Sequence, residues 1–400
     1  MVPEDTPYKL FIIPSWYPPR GGAFFREHSR ALADAGLRVH VLAAIETGIR
    51  DRPWTYLKPG KQACLRAEGR MTEHRRIARR IPLSPQISQR SWVNTVLSLY
   101  EEDSRKYGHP DLVQAHSSMW GGLAAAMIRE KHGTPYVVTE HRGRFTGQAG
   151  SGHLVLPWHL PLLQKAFSKA AHIVTVSRAV GRGIVDLYPA ASGKMSVIPN
   201  MTDTSFFGLP ADAATGYKKG ETGTPFRFIC VASLEELKGV QILTEALAIL
   251  RSRGYGGSSL LIAGDGPLRG ELERRCREKS LPVRFAGQLD REALRQRLHE
   301  SDALILPSLF EAFGIVLIEA MACGLPVVAT RSGGPGEIVQ ADSGLLTPPG
   351  DATAMADAME QMIKEHSGFD RTKIAEKAKE KYSPHVISAQ YVRLYQKLLR

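Results

Sequence analysis

The chain has 400 residues, 43% hydrophobic and 23% charged, with a formal net charge of +12. That length exceeds one ordinary core, so two domains of a soluble globular protein are expected, and no apolar run approaches the roughly 18 residues that a membrane-spanning helix needs. The basic excess points to an acidic partner without choosing among nucleic acid, anionic membrane and phosphorylated substrate.

The N-terminal stretch MVPEDTPYKLFIIPSWYPP has neither a long apolar core nor a small-residue cleavage site, so a cytosolic protein is expected. A strand over 8–14, a helix over 25–35 stopped by Gly36 and a strand over 39–44 make a βαβ unit. Between the first strand and the helix, Gly21 and Gly22 let the backbone come close to a ligand near a helix N-terminus. The segment is not GxGxxG, which weakens a hydride-transfer reading, and a plain turn would use the same glycines. Residues 61–92 carry Lys61, Arg66, Arg70, Arg75, Arg76, Arg79, Arg80 and Arg90 among Met71, Ile77, Ile81 and Leu83. This is either a basic amphipathic surface for an anionic bilayer or a solvated helix face or loop. No nucleic-acid-binding motif accompanies it.

A strand over 111–115 ends at His116, and Gly121 and Gly122 open an alanine-rich helix to about residue 131. A further strand over 135–139 ends at Glu140, His141 and Arg142. Ligands of open parallel sheets collect beyond the carboxyl ends of strands, which makes His116 and His141 candidates to line a site. The loop 143–161 mixes Gly147, Gly150 and Gly152 with Leu154, Leu156, Trp158 and Leu160; it either receives a lipid acceptor or packs over the core. Residues 171–177 and 197–200 read as strands, the first followed by a helix.

The composition changes at 209–225, rich in Gly, Thr, Lys and Pro without periodicity, as in a hinge or an exposed loop near a domain boundary. Alternation then restarts with strands over 226–232, 259–263, 283–286 and 303–306 and helices over 240–251, 268–279 and 291–300. Alternation on both sides of a linker implies two doubly wound α/β domains. In the second, Lys238 stands just before a helix, where an ammonium can neutralise phosphate. Gly264, Asp265, Gly266 and Pro267 form a tight turn that exposes backbone N–H groups, and RSGGPGE at 331–337 follows a strand over 326–330. The apolar run 303–308 leads through a turn at Gly314 into a helix over 315–323, placing Glu311 in the turn and Glu319 in the helix. A helix start favours an anion such as a diphosphate, and two carboxylates beside it suit sugar and ribose hydroxyls, unless they are ordinary solvated glutamates. Together, the turns along one sheet edge favour a nucleotide-diphosphate cleft. Cys64, Cys230, Cys276 and Cys323 lie far apart with no CxxC pair, so buried reduced thiols are expected, with no zinc site and no disulfide.

PSWYPPRGG near the start, VTEH at 138–141, VIPN at 197–200, LKG at 237–239, AGDGP at 263–267 and LPSLFEAFGIVLIEAMACGLPVVAT at 306–330 resemble the retaining GT-B glycosyltransferases of glycosyltransferase family 4. The resemblance covers nearly the whole chain, and its E-x7-E segment is highly specific. It implies a GT-B fold of two Rossmann-like domains facing across a cleft: an acceptor-side domain over 1–205, a nucleotide-sugar-binding domain over 206–381, and a terminal helix over 382–400 returning to the first. It implies sugar transfer from a UDP- or GDP-sugar with retention, no required metal or cofactor, and a lipid-linked or glycan acceptor of bacterial envelope or exopolysaccharide synthesis. By the same resemblance Glu319 binds the ribose, while Glu311 and the Phe313, Gly314 and Ile315 backbone meet the donor sugar. Lys238 meets the diphosphate, with Gly21 and Gly22 approaching it from the N-terminal side. Gly264, Asp265 and Gly266 are further donor contacts. His141 lies at the reacting sugar, with His116 and Arg142 on the acceptor or sugar side. Family members commonly carry Arg five residues before the Lys of LKG; here Ser233 stands there, which removes a bidentate phosphate contact. NMTD at 200–203 also departs from the usual NGxD. Two alternatives remain open: a non-catalytic nucleotide-sugar-binding protein, favoured by Ser233, and a phosphorylase-like or epimerase-like enzyme. Association with the inner face of a membrane through 61–92 is an expectation of charge alone, and nucleic acid is not expected as a partner.

Overall fold

In the computed structural model, residues 8–19, 21–48, 64–82, 84–145, 155–210 and 225–400 are described. Lys61, Leu83, the glycines of the loop at 147, 150 and 152, Leu154 and most of the 209–225 linker lie outside them. The chain divides into two compact units, Met1–Pro199 with Pro384–Arg400, and Asn200–Ser383.

The first unit is built on an eight-stranded sheet. Its strands are β1 (Lys9–Pro14), β2 (Arg38–Thr47), β3 (Cys64–Glu68), β4 (Met71–Arg79), β5 (Leu112–His116), β6 (Tyr136–Glu140), β7 (His172–Thr175) and β8 (Met195–Val197). Their order is β3-β4-β2-β1-β5-β6-β7-β8. Every neighbouring pair is parallel except β3 with β4. The parallel core strands read as unbroken apolar runs because both of their faces are covered; β5 and β6 are buried at every residue. Parallel neighbours need crossovers, which are supplied by α1 (Ala23–Asp34), α2 (Pro85–Tyr107), α3 (Leu123–His132), α4 (Leu160–Ser168) and α5 (Arg178–Leu187).

The solvated helix face or loop offered as one reading of the basic stretch is corrected: its described part is mainly the antiparallel β3–β4 hairpin, whose second strand runs parallel to β2 from Val39 to Thr47. Its arginines are largely matched within the unit. Glu73, fully buried, accepts from Arg26 Nε at 2.5 Å, from Arg75 and from the Tyr17 hydroxyl at 3.1 Å. Burial alone would raise the Glu73 carboxyl, but the hydrogen bonds from Arg26 and Arg75 outweigh it and hold it below its ordinary value. Arg76 makes a two-pronged pair with Glu102 of α2 at 2.9 and 2.6 Å.

The second unit holds β9 (Arg227–Val231), β10 (Ser259–Ala263), β11 (Val283–Gly287), β12 (Ala303–Leu306), β13 (Val327–Thr330) and β14 (Gly344–Thr347). They lie in the order β11-β10-β9-β12-β13-β14, all parallel. The intervening helices are α6 (Val240–Ser252), α7 (Arg269–Glu278), α8 (Arg291–Glu300), α9 (Ile315–Ala322) and α10 (Pro335–Ile338), followed by α11 (Ala352–Glu365) and α12 (Arg371–Tyr382). Asp290, Asp351 and Asp370 each start a helix by accepting a backbone N–H. The IVLIEAMA sequence of α9 is apolar nearly all round, as suits a buried helix, with Leu317, Ile318 and Ala320 fully covered.

The terminal helix expected over 382–400 runs from Pro384 to Leu399. α12 ends at Tyr382, Ser383 is extended as a residue before proline must be, and α13 (Pro384–Leu399) begins anew. α13 belongs to the first unit. Among the described residues no helix is long and apolar enough to cross a membrane. Cys230, Cys276 and Cys323 are buried and free, and burial pushes the Cys230 and Cys323 thiols up to about 12.

Each sheet starts from a central strand, builds outward to one side, then returns to build the other. The reversal falls between β1 and β5 in the first unit and between β9 and β12 in the second. Such switch points leave a crevice at the carboxyl ends of the strands, where ligands of this architecture bind.

Candidate functional site

At the switch point of the second unit the chain leaves β9 through Ala232, Ser233 and Leu234 into a 3-10 turn, Glu236–Lys238, closed by Gly239 at φ 66°. A Cβ on Gly239 would stand 2.0 Å from the Pro307 carbonyl oxygen, so only glycine lets this turn rest on the chain leaving β12. Leu309 N–H donates to the Leu237 carbonyl at 2.8 Å across the same seam. The consequence is that Lys238 Nζ lies 2.7 Å from Glu311 Oε2, with the two side chains 29% and 15% exposed. Glu311 is itself fixed by the loop after β13: its N–H donates to the Ser332 carbonyl at 2.9 Å, and its carbonyl accepts from Gly334 N–H at 3.0 Å. Gly334 presses so close that a Cβ there would lie 2.4 Å from both Ala312 O and Phe313 Cα.

The turn ends at Gly314, in the left-handed region at φ 96°, and α9 starts at Ile315 with no side-chain cap. Its first N–H groups therefore point out of the helix start. Phe313 is buried and its ring lies 6.0 Å from that of Tyr382, so Phe313 offers backbone, not ring, at this place. Glu319 follows in the second turn of α9, half-buried. The turn after β10 is interleaved with the one after β9. Leu234 N–H donates to Asp265 O and Leu268 N–H to Leu234 O, both at 3.0 Å, while a Cβ on Gly264 would meet Ala232 O at 1.9 Å and one on Gly266 would meet Leu234 O at 2.6 Å. These glycines thus have a packing reason as well as the ligand reason expected of them. The Asp265 carboxylate serves its own turn, accepting from Gly266 N–H at 2.8 Å and from Arg269 at 3.2 Å. Ser233 sits half-buried in this seam, its carbonyl accepting from Glu235 N–H at 3.0 Å.

At the first unit's switch point Ser15 joins the two strands, its hydroxyl donating to His116 O at 2.6 Å and accepting from Gly121 N–H at 3.0 Å. Gly21 and Gly22 have φ 82° and 74°, and a Cβ on Gly22 would stand 2.7 Å from Trp16 O. The turn they make delivers Phe24 and Phe25 at the start of α1 against His141, at ring separations of 5.3 and 5.1 Å. His116 Nδ1 is 2.9 Å from His141 Nε2. His116, expected on the acceptor or sugar side, is fully buried. It stands behind His141, with the rings of Phe25 at 4.7 Å and His28 at 4.8 Å. Burial first, then the neighbouring histidines, holds His116 well below its ordinary pKa. Burial also lowers His28 to about 3, against a raising hydrogen bond to Gln114.

His28, Gln114 and Thr139 were not singled out in the sequence, yet they carry the histidine pair. Gln114 Oε1 lies 3.3 Å from His28 Nε2 and also accepts from the Tyr395 hydroxyl, and Gln114 Nε2 donates to Thr139 Oγ1 at 3.1 Å. Tyr391 of α13 packs its ring 4.6 Å from that of His28. A polar residue at a fully buried strand position, as Gln114 is in LVQAH, was the available signal. Glu140, noted only as a strand end, is fully buried. It accepts from Ser117 Oγ, Ser118 N–H, Ser118 Oγ, His141 N–H and Arg142 N–H at 2.6–3.0 Å, and so fixes the backbone on which His141 stands. Arg142 lies over the Trp16 ring at 4.4 Å. Of the loop 143–161, Trp158 stacks on Trp120 at 5.6 Å, whereas Leu156 and Leu160 are exposed. Among the described residues no group of three or more His, Cys, Asp or Glu is placed to hold a metal ion.

Residues 21–206 match the model of Glycosyltransferase Family 4, and residues 217–381 match that of the glycosyl transferases group 1. The chain is 30% identical over 273 residues to a glycogen synthase of Mycobacterium tuberculosis, covering 66% of this chain and 62% of that one. It is 29% identical over 272 residues to the putative teichuronic acid biosynthesis glycosyltransferase TuaC of Bacillus subtilis, covering 67% and 64%. The matches thus span a little under two thirds of these relatives' lengths. Among solved structures, a sucrose-phosphate synthase from Thermosynechococcus elongatus superposes with a TM-score of 0.80 at 22% identity, covering 98% of this chain and 99% of that one. Anabaena HepE in complex with UDP-glucose gives 0.72 at 19%, covering 98% and 100%.

Proposed function

The chain belongs to the glycosyl transferases group 1, its first half to Glycosyltransferase Family 4; from that premise, and from a GT-B fold of two Rossmann-like units, we propose that it is a retaining glycosyltransferase. It moves a sugar from a nucleoside-diphosphate sugar to a lipid-linked or polysaccharide acceptor. The observation that carries this reading is the 2.7 Å pair of Lys238 and Glu311 at the second sheet's switch point, beside the start of α9. A cation, a carboxylate and outward N–H groups on one rigid edge suit a diphosphate joined to a polyol. Glu311 holds Lys238 in place; the ammonium meets the diphosphate, Glu311 and the backbone from Phe313 to Ile315 meet the sugar, and Glu319 meets the ribose. The turns at Gly264 to Gly266 and at Gly21 and Gly22 line the phosphates, and His141 serves the reacting sugar.

In the reaction, the bond from sugar C1 to the β-phosphate oxygen breaks and its electron pair stays on the phosphate. The acceptor oxygen bonds to C1 from that same face, and its proton passes to the departing phosphate oxygen. Lys238 and the helix start stabilise the charge that develops on the leaving group, commonly the largest catalytic contribution. A two-carboxylate glycosidase scheme is disfavoured, because Glu311 is engaged by Lys238. Relatives named for glycogen synthesis, for teichuronic acid and for amylovoran biosynthesis support a polysaccharide-building role, and HepE in complex with UDP-glucose supports a nucleotide-sugar donor.

A second reading is a nucleotide-sugar-binding protein without turnover, favoured by Ser233 where an arginine is usual. A panel of UDP-, GDP- and ADP-sugars read by thermal shift, followed by donor-consumption assays, separates the two. A ligand that binds the folded state raises the melting temperature, and binding without transfer or slow donor hydrolysis selects the second reading. No shift with any sugar nucleotide removes both.

A further inference from the structure

We propose that His116 is a positioning residue whose Nδ1–H donates to His141 Nε2, so that His141 meets substrate through Nδ1 as a neutral hydrogen-bond donor and not as a base. The inference rests on the assignment of His141 to the reacting sugar and adds to it which nitrogen works and in which proton state.

The 2.9 Å separation of His116 Nδ1 and His141 Nε2 needs one proton between them, and either ring can supply it. The rest of His116 decides which. Its ring is fully buried among Phe25, His28 and His141, and its Nε2 is buried without a hydrogen-bond partner among the described residues. If His141 were the donor, a neutral His116 would carry its own proton on Nε2, leaving an orphaned N–H in the interior. If His116 donates from Nδ1, the orphan at Nε2 is a lone pair. Buried N–H groups without acceptors are the rarer of the two defects, which places the proton on His116 Nδ1. His141 then accepts at Nε2 and, as a neutral ring, carries its proton on Nδ1.

The assignment fits the proposed chemistry. With the acceptor's proton passing to the leaving phosphate, the protein needs no base, and an N–H fixed from behind can steady an oxygen that gains charge. His116 does this without touching substrate.

Long-range proton–nitrogen spectra of the 400-residue chain labelled with 15N-histidine, with His116 and His141 signals assigned through His116→Phe and His141→Gln, read the tautomer directly. The expected result is a His141 ring protonated at Nδ1, losing that single form in His116→Phe. Protonation of His141 at Nε2 in the native chain overturns the proposal. In transfer assays His116→Phe should lower kcat about tenfold with the donor KM nearly unchanged, the loss of one hydrogen bond's worth of alignment. His116→Asn, whose amide can donate from near the Nδ1 position, should recover part of it. The native kcat should show no acid limb from His141; a limb near pH 6.5 that vanishes in His141→Gln makes His141 a base and rejects the proposal. A chain that transfers no sugar to any acceptor overturns the functional reading instead, and the spectra still decide the tautomer.

Discussion

The two switch points share a strand plan and differ in how they manage charge. In the second unit a lysine and a glutamate stand partly exposed and matched, on turns whose glycines let neighbouring backbones interleave. In the first, three histidines are packed among aromatic rings, and burial keeps two of them well below their ordinary pKa. One edge is built to hold charge where an ionic ligand can use it. The other buries its histidines and holds hydrogen-bond direction instead. The same topology therefore supports two kinds of chemistry, because the side chains and not the sheet decide the electrostatics.

The largest effect should come from the charged edge. Lys238→Ala should lower kcat about 100-fold or more, as removal of a preplaced charge at a developing anion does, while Glu311→Ala should lose both kcat and donor affinity. Steady-state transfer assays on both variants measure this, and wild-type rates would break the assignment. Next, Gly334→Ala should destabilise the second unit by about 2–4 kcal/mol, because its Cβ would fall 2.4 Å from Ala312 O and Phe313 Cα. Urea unfolding checks it; an unchanged midpoint would mean that the loop after β13 does not clamp the Glu311 turn.

The contrast in charge also predicts a contrast in acid sensitivity. Above pH 6.5 a buried histidine is neutral in both folded and unfolded chains and contributes no pH dependence. Below that, the unfolded chain takes up a proton that folded His28 refuses until about pH 3, so stability falls by about 1.4 kcal/mol per pH unit for each such residue. His116 adds to it in the same direction. Both His28 and His116 lie in the first unit. Amide exchange followed from pH 6.5 to 4.5 should show protection lost in peptides of the first unit before those of the second, and His28→Gln should flatten part of that slope. Equal loss in both units would erase the contrast. The smallest effect concerns the basic hairpin. With Arg75 and Arg76 matched by Glu73 and Glu102, cosedimentation with anionic vesicles should be weak and abolished by salt; strong, salt-resistant binding would show a membrane surface that the pairing does not account for.

Most of the alternation was legible in the sequence, because parallel strands covered on both faces keep an unbroken apolar signature and the helices 291–300 and 240–251 keep their period. The Glu311 to Glu319 junction was legible too, since strand, glycine and helix are local. Two of the misses share one cause: partners distant in sequence. Residues 61–92 were read as a helix face or loop because the pairing of β4 along β2 cannot be seen in a window, and the carboxylates that match Arg75 and Arg76 come partly from α2. His28 looked like an ordinary helix residue, its partners Gln114 and Tyr391 lying on β5 and α13. Helices α11 and α12 were overlooked although Asp351 and Asp370 mark their starts, a local signal that was there to be read.

The return of α13 has a bearing on how the protein is made. Tyr391 and Tyr395 complete a buried network whose other members, His28, Gln114 and Thr139, emerge from the ribosome long before them. Domains generally fold in order of synthesis, but the first unit here must wait, its interior missing two tyrosines, until the entire second unit has been translated. The last residues of the chain act as the closing stitch of the first.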